Sequence, residues 1–312
     1  MMIIRKLVKA GPSSHTVSLP KEWLAKNGLQ AGDSIYVTEK SDQALLLTVE
    51  AGTVPVTHKE TTITLDGKEI GTLQRELSAA YVNNSRVITL VGENAASRLP
   101  AIRSILQGFV ALEITEQTAR GITIKDLLDL NEISLEKTLR RVDMMVRTML
   151  EECGAPDIED RLRVKDEEIN KLYFLLCHLL KSALITPGMG ERFGLTHAGV
   201  LGYWSLVINL ENLADCVKNA HTALGSVGKE KVKQVRDVVH SLKADLEDAM
   251  KAWYQKDKSL ADSVLRNRDA IMKKCQAVIT RGAEPALVEA IEQCKASASI
   301  ISNLARVVID SE

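Results

Sequence analysis

From residue 131 to the end of the chain, apolar side chains recur every three or four positions, and the prolines and most glycines fall at the breaks. That spacing commits more than half of the molecule to amphipathic helices packed on a shared core. The first stripe is Leu135, Leu139, Val142, Val146, Met149 and Cys153, with Ser134 placed to cap it and Gly154 and Pro156 to end it. A second helix reads over about 157–182, with Ile158, Leu162, Ile169, Leu172, Tyr173, Leu176 and Leu180 inward. Pro187, Gly188, Gly190 and Gly194 then make a loop. A third helix covers about 196–222, and three more follow over about 228–256, 258–279 and 284–310.

The third helix carries the most specific chemistry. Glu211, Asp215 and Asn219 are four apart, which stacks them on one face. Two carboxylates so placed repel each other and weaken the helix unless a cation sits between them. The preceding residues 200–210 are strongly apolar, so the pair lies at one end of a buried helix. Three helices followed by three also suggest a degenerate repeat, over about 131–223 and 228–310. Ser302-Asn303-Leu304-Ala305-Arg306 aligns with Glu211-Asn212-Leu213-Ala214-Asp215, keeping Asn-Leu-Ala and losing both carboxylates. Asp166 pairs in the same way with Asp269, each shortly before an isoleucine.

The form E-x-x-A-D-x-x-x-N-A late in a bundle helix resembles the signature of PhoU, the phosphate-signalling helical bundle. That resemblance implies two related three-helix bundles with acidic motifs able to hold metal ions. Carried over, Asp166, Glu211, Asp215 and Asn219 form one metal site, and oxygen ligands favour a divalent magnesium, manganese or iron ion. Leu162 and Asn212 depart from the pattern, and Ser302 and Arg306 remove the second site, so at most one ion is expected.

The N-terminal 50 residues have a different character. Residues 3–8 read as a strand, 11–14 as a loop, and 16–19 as a second strand. Pro20 opens a short helix and Gly28 ends it in the left-handed conformation, with Leu29 packing back. Ala31-Gly32-Asp33 turns the chain into strands at 34–39 and 44–49. So small a unit buries little surface alone and borrows a core from a second copy. The first 30 residues hold Arg5, Lys6, Lys9, Lys21 and Lys26 against the single acid Glu22. Arg5-Lys6-Leu7-Val8, Gly11, Thr16-Val17-Ser18-Leu19-Pro20-Lys21-Glu22-Trp23 and Gly28-Leu29-x-Ala31-Gly32-Asp33 resemble, in order, the AbrB/MazE/SpoVT swapped-hairpin DNA-binding family. The resemblance implies a homodimer gripping double-stranded DNA through Arg5, Lys6, Lys9, Ser13, Ser14, His15, Thr16 and Lys21. It also raises an antitoxin-like reading, in which the attached tail would neutralise a toxin.

Between these regions, residues 53–130 alternate strand and helix: strands near 61–65, 86–91, 109–115 and 121–124, helices near 72–81 and 95–107. That order suggests a small α+β sandwich serving as spacer or dimerisation domain. The chain as a whole reads as multi-domain α+β: a swapped-hairpin β domain over 1–50, the sandwich over 53–130, and a six-helix PhoU-like tandem three-helix bundle over 131–312.

Composition narrows the function. Forty basic against forty-one acidic residues leave no global charge bias toward nucleic acid, so the basic N-terminal face is a local feature. Five cysteines without a C-x-x-C pair point to reduced, mostly buried thiols in a cytoplasmic protein. Arg5, Lys6 and Lys9 interrupt any signal-peptide core, and no apolar run reaches the roughly 20 residues needed to span a bilayer. The six histidines form no metal-protease pair, and neither G-x-S-x-G nor a P-loop is present. The expectation is a non-enzymatic, cytoplasmic regulator of transcription tied to phosphate uptake, with self and DNA as partners. A phosphate transporter or sensor kinase is a further candidate partner, and an adaptor acting on that partner without specific DNA binding is the alternative.

Overall fold

The computed structural model describes residues 3–41, 44–49, 59–130, 132–186 and 188–311. The turn at 42–43, residues 50–58 where the first region was expected to pass into the second, and Pro187 lie outside them. The chain divides into two compact units, residues 1–57 and 58–312.

The first unit is built from two hairpins and one short helix. β1 (Val8–Lys9) pairs antiparallel with β2 (His15–Thr16), Val8 opposite Thr16 and Lys9 opposite His15. The loop between them is closed by the Ala10 amide donating to the Ser14 carbonyl at 3.0 Å. α1 (Lys21–Lys26) ends as its sequence demands. Gly28 takes φ +65°, its amide reaches the Ala25 carbonyl, and the Leu29 amide reaches back to the Leu24 carbonyl. β3 (Tyr36–Ser41) and β4 (Ala44–Thr48) form the second hairpin, with a register shift between Glu39 and Ser41. The strands expected over 3–8 and 16–19 are cut to two residues each. A strand needs a ladder partner, and among the described residues 3–7 and 17–19 have none within the chain.

The second unit opens with a four-stranded sheet in the order β5-β6-β8-β7. β5 (Lys59–Thr64) runs parallel to β6 (Ser85–Val91), joined by the crossover helix α2 (Ile70–Val82). β8 (Gly121–Asp126) pairs antiparallel with β6 and with β7 (Leu112–Gln117). Alternation sends Ile63, Ile88, Leu90, Ile122 and Ile124 to the face where Leu73 and Leu77 of α2 and Ile102 of α3 (Leu99–Leu106) pack. β7 starts three residues later than the sequence suggests. Gly108 and Phe109 close a turn onto α3, and Ala111 takes φ +61°. Phe109 is buried in that turn, so its apolar character marks core rather than strand.

Among the described residues, six helices of eighteen residues or more follow. They are α4 (Leu135–Glu152), α5 (Glu159–Ile185), α7 (His197–Leu224), α8 (Lys229–Gln255), α9 (Lys258–Val278) and α10 (Pro285–Asp310). The expected loop before α7 holds a seventh, single-turn helix, α6 (Met189–Arg192), entered from Gly188 at φ +79°. Ser134 Oγ accepts the Lys137 amide, Thr196 accepts the Gly199 amide, and Asp257 accepts the Leu260 amide, each cap contributing about 1 kcal/mol. Gly154 sits at φ +75° where a Cβ would come within 3.1 Å of Arg236 Cγ, so the chain turns out of α4 only with glycine there. α7 packs along α5 and α10, α10 along α8 and α9, and α4 against α5, α7 and α8. One continuous apolar core runs through all six. α2 packs on α5, which ties the sheet layer to the helices.

Candidate functional site

The first candidate site is the face of the N-terminal unit. Arg5 and Lys6 lie on the extended segment before β1, and Lys9 lies in β1 opposite His15. Ser13 and Ser14 form the connecting loop, Thr16 stands opposite Val8, and Lys21 begins α1. All eight side chains are exposed. Thr16 Oγ1 donates to the Val8 carbonyl at 3.4 Å. A Cβ on Gly11 would approach Ser14 Oγ to 2.9 Å, so glycine permits the loop to close over that hydroxyl. Among the described residues no carboxylate is paired with Arg5, Lys6, Lys9 or Lys21. Unneutralised, exposed cations beside serine, threonine and histidine donors are what phosphate contacts require.

The same unit is unfinished as a folded body. None of its described residues is buried. Ile4 is 81 % exposed, Leu7 73 %, Leu45 67 % and Val8 60 %.

The second candidate site joins α5 and α7. Asp166, Glu211 and Asp215 are brought together, while Asn219 is exposed. The centre of the cluster is held by Lys218, which the spacing argument passed over. Its Nζ donates to Asp166 Oδ2 at 2.8 Å and to Asp215 Oδ1 at 2.6 Å. Burial is the largest single influence and works against the Lys218 ammonium, but the hydrogen bonds and charges of Asp166 and Asp215 together outweigh it and raise its pKa. Glu211 is pushed up by its own burial, then by the charges of Asp215 and Asp166, with Lys218 pulling the other way. Its position in the sequence was signal enough: Lys218 is three residues after Asp215 and seven after Glu211, on the same face. Leu162, where a further carboxylate would be needed, is a core residue. The repeat-related positions hold nothing comparable: Asp269 is exposed, and Ser302 turns its hydroxyl back to the Ala298 carbonyl. Among the described residues no group of three or more His, Cys, Asp or Glu side chains is arranged to hold a metal ion. The donor set as folded does not fit a hard divalent ion, because an ammonium already takes the oxygens such an ion would need.

Two further buried charge clusters were not singled out by sequence reasoning. Asp143 on α4 accepts two hydrogen bonds from Arg147, at 2.6 and 2.7 Å, and one from the Tyr254 hydroxyl at 3.3 Å. Burial raises the Asp143 pKa, opposed by Arg147. Arg140 stacks on the Tyr254 ring at 3.7 Å. Between the sheet layer and α5, His178 Nδ1 donates to the Tyr81 carbonyl at 2.8 Å, and its ring stacks on Tyr81. His178 Nε2 faces Asp126 Oδ2 at 3.6 Å, and Arg86 reaches the same oxygen at 3.8 Å. Burial lowers the His178 pKa. His178 lies in an apolar run of α5 and is buried with a carbonyl partner.

Residues 8–55 match the family model described as antidote-toxin recognition MazE, bacterial antitoxin. The chain therefore carries a MazE/AbrB-type head over those residues. The match stops short of the helical body, so phosphate signalling is supported by no family match. No curated protein matches the chain. No solved structure matches it. No helix among the described residues is long and apolar enough to cross a membrane.

Proposed function

We propose that this protein is a dimeric, cytoplasmic, non-enzymatic DNA-binding regulator of transcription. In this reading two heads interleave their hairpins, cover the exposed apolar side chains, and present a joint basic face to double-stranded DNA. The observation that carries it is the pairing of two facts in one small unit: no described residue is buried, and its exposed cations have no carboxylate partners. The finer assignment, a PhoU-like body reporting on phosphate homeostasis, is supported by the E-x-x-A-D-x-x-x-N-A pattern in α7 and the two sets of three long helices. Through that body the protein would meet a phosphate transporter or sensor kinase.

The test is fluorescence anisotropy on the protein's own upstream DNA and on DNA upstream of phosphate-transport genes, at about 0.15 M salt with unrelated competitor. Saturable binding that survives the competitor is expected. Arg5→Ala should relax sequence preference as well as weaken binding, because arginine grips guanine with two bonds. Lys9→Ala should weaken all sequences alike and reduce the salt slope by about one. Parent-like binding by both variants would show that this face does not touch DNA.

The description of the matched family favours a second reading, an antitoxin whose body neutralises a toxin. Rescue of growth by the head-deleted body during expression of a neighbouring toxin gene would establish it and displace the regulator reading.

A further inference from the structure

The acidic cluster on α5 and α7 raises the question of which cation balances it. Asp166 on α5 and Glu211 and Asp215 on α7 lie close enough to interact, and burial plus mutual repulsion raise the Glu211 pKa. Lys218 answers with a short-range, two-point contact, 2.8 Å to Asp166 and 2.6 Å to Asp215. The lysine is fixed to the same helix as Asp215 and Glu211. An ion from solution would therefore compete with a tethered ammonium whose effective concentration is on the order of millimolar or more. A magnesium-like ion also demands nearly octahedral oxygen ligands at about 2.1 Å, and would lose both aspartates to the lysine.

We propose that Lys218 is the permanent cation of this site, so that the helical body is neutralised from within and takes no divalent metal as its input. The ammonium bridges α5 to α7 as a metal ion would, but without responding to metal supply. The inference concerns the body alone and holds whether or not the head binds DNA.

The test uses the full chain, with Mn²⁺ as probe, read by electron paramagnetic resonance of the free ion and by thermal unfolding. The parent is expected to take up no stoichiometric Mn²⁺ at about 0.1 mM, and its Tm should be the same in Mn²⁺ and in chelator. Lys218→Met is expected to lower Tm by about 4 °C. Asp215→Asn should then act with opposite signs in the two backgrounds. It lowers Tm in the parent, where it removes a partner of Lys218. It raises Tm in Lys218→Met, where it removes a repulsion. One equivalent of Mn²⁺ bound by the parent and lost on Asp215→Asn would overturn the proposal, as would strictly additive effects of the two substitutions. If Lys218→Met does not fold, the Mn²⁺ titrations of the parent and of Asp215→Asn still decide between a tethered and a diffusible cation.

Discussion

Leu7 offers the sharpest test of the head, because its exposure is out of proportion to its chemistry. Its side chain is 73 % exposed in the single chain. Covering it in a dimer would remove about 100 Å² of apolar surface from water, roughly 2.5 kcal/mol at 25 cal/mol per Å². Truncation to alanine forfeits most of that, about 1.5–2 kcal/mol per copy, and a two-fold dimer loses it twice. The dimer dissociation constant of Leu7→Ala should therefore rise between about a hundredfold and a thousandfold. Sedimentation equilibrium over a concentration series reads the change directly. Leu201 on α7 supplies the control: it is 68 % exposed, almost as much as Leu7, but lies on the helical body. Leu201→Ala should leave the association constant unchanged. A Leu7→Ala protein that associates like the parent would show that these apolar side chains are not an interface and would remove the main argument for interleaved hairpins. Weakening by Leu201→Ala would place the interface on the body instead.

Two other predictions concern the body. Arg147→Met leaves Asp143 buried with only the Tyr254 hydroxyl, and breaking a buried pair by removing one partner costs about 3 kcal/mol; a urea midpoint within error of the parent would show that the pair contributes nothing. Burial holds the His178 imidazole neutral in the fold, so the unfolded chain binds its proton first as pH falls; stability from this residue is complete above about pH 6.5 and is lost below it, as pH drops toward the lowered folded value. Urea unfolding of parent and His178→Asn from pH 5 to 8 should show a steeper acid loss in the parent, and parallel curves would refute the assignment.

The helices were legible because their signals are local. Ser134, Thr196 and Gly154 mark helix ends through side-chain caps and a left-handed turn, which depend on a few neighbouring residues. All six long helices fall within three residues of the expected bounds for that reason. Strand ends were less legible. Whether residues 3–7 form a strand depends on a partner strand, and where β7 begins depends on the Phe109 turn locking into α3. The eight residues read as a DNA face are all exposed, but in a unit without a buried residue exposure does not set them apart. The long-range partners of the buried groups could not be read: Asp143 meets Tyr254 111 residues away, and His178 meets the Tyr81 carbonyl 97 residues away. Lys218 lies between these cases. Its spacing was plain, but a lysine on an acidic helix face reads as ordinary surface salt until Asp166 is seen arriving from α5.

The two units handle charge in opposite ways, and that difference locates their partners. In the body, three of the four aspartates buried among the described residues face a basic or ring-nitrogen neighbour, Arg147 for Asp143, Lys218 for Asp166, and His178 with Arg86 for Asp126, while the fourth, Asp245, accepts from the Asn267 side-chain amide. Burying a charge is tolerable only with such company, so these groups are committed to holding the fold. In the head, Arg5, Lys6, Lys9 and Lys21 are exposed and uncommitted. Their charge is available to something outside the chain at little desolvation cost, and their loss should change binding while leaving stability nearly untouched. A polyanion is the partner that a cluster of free cations selects.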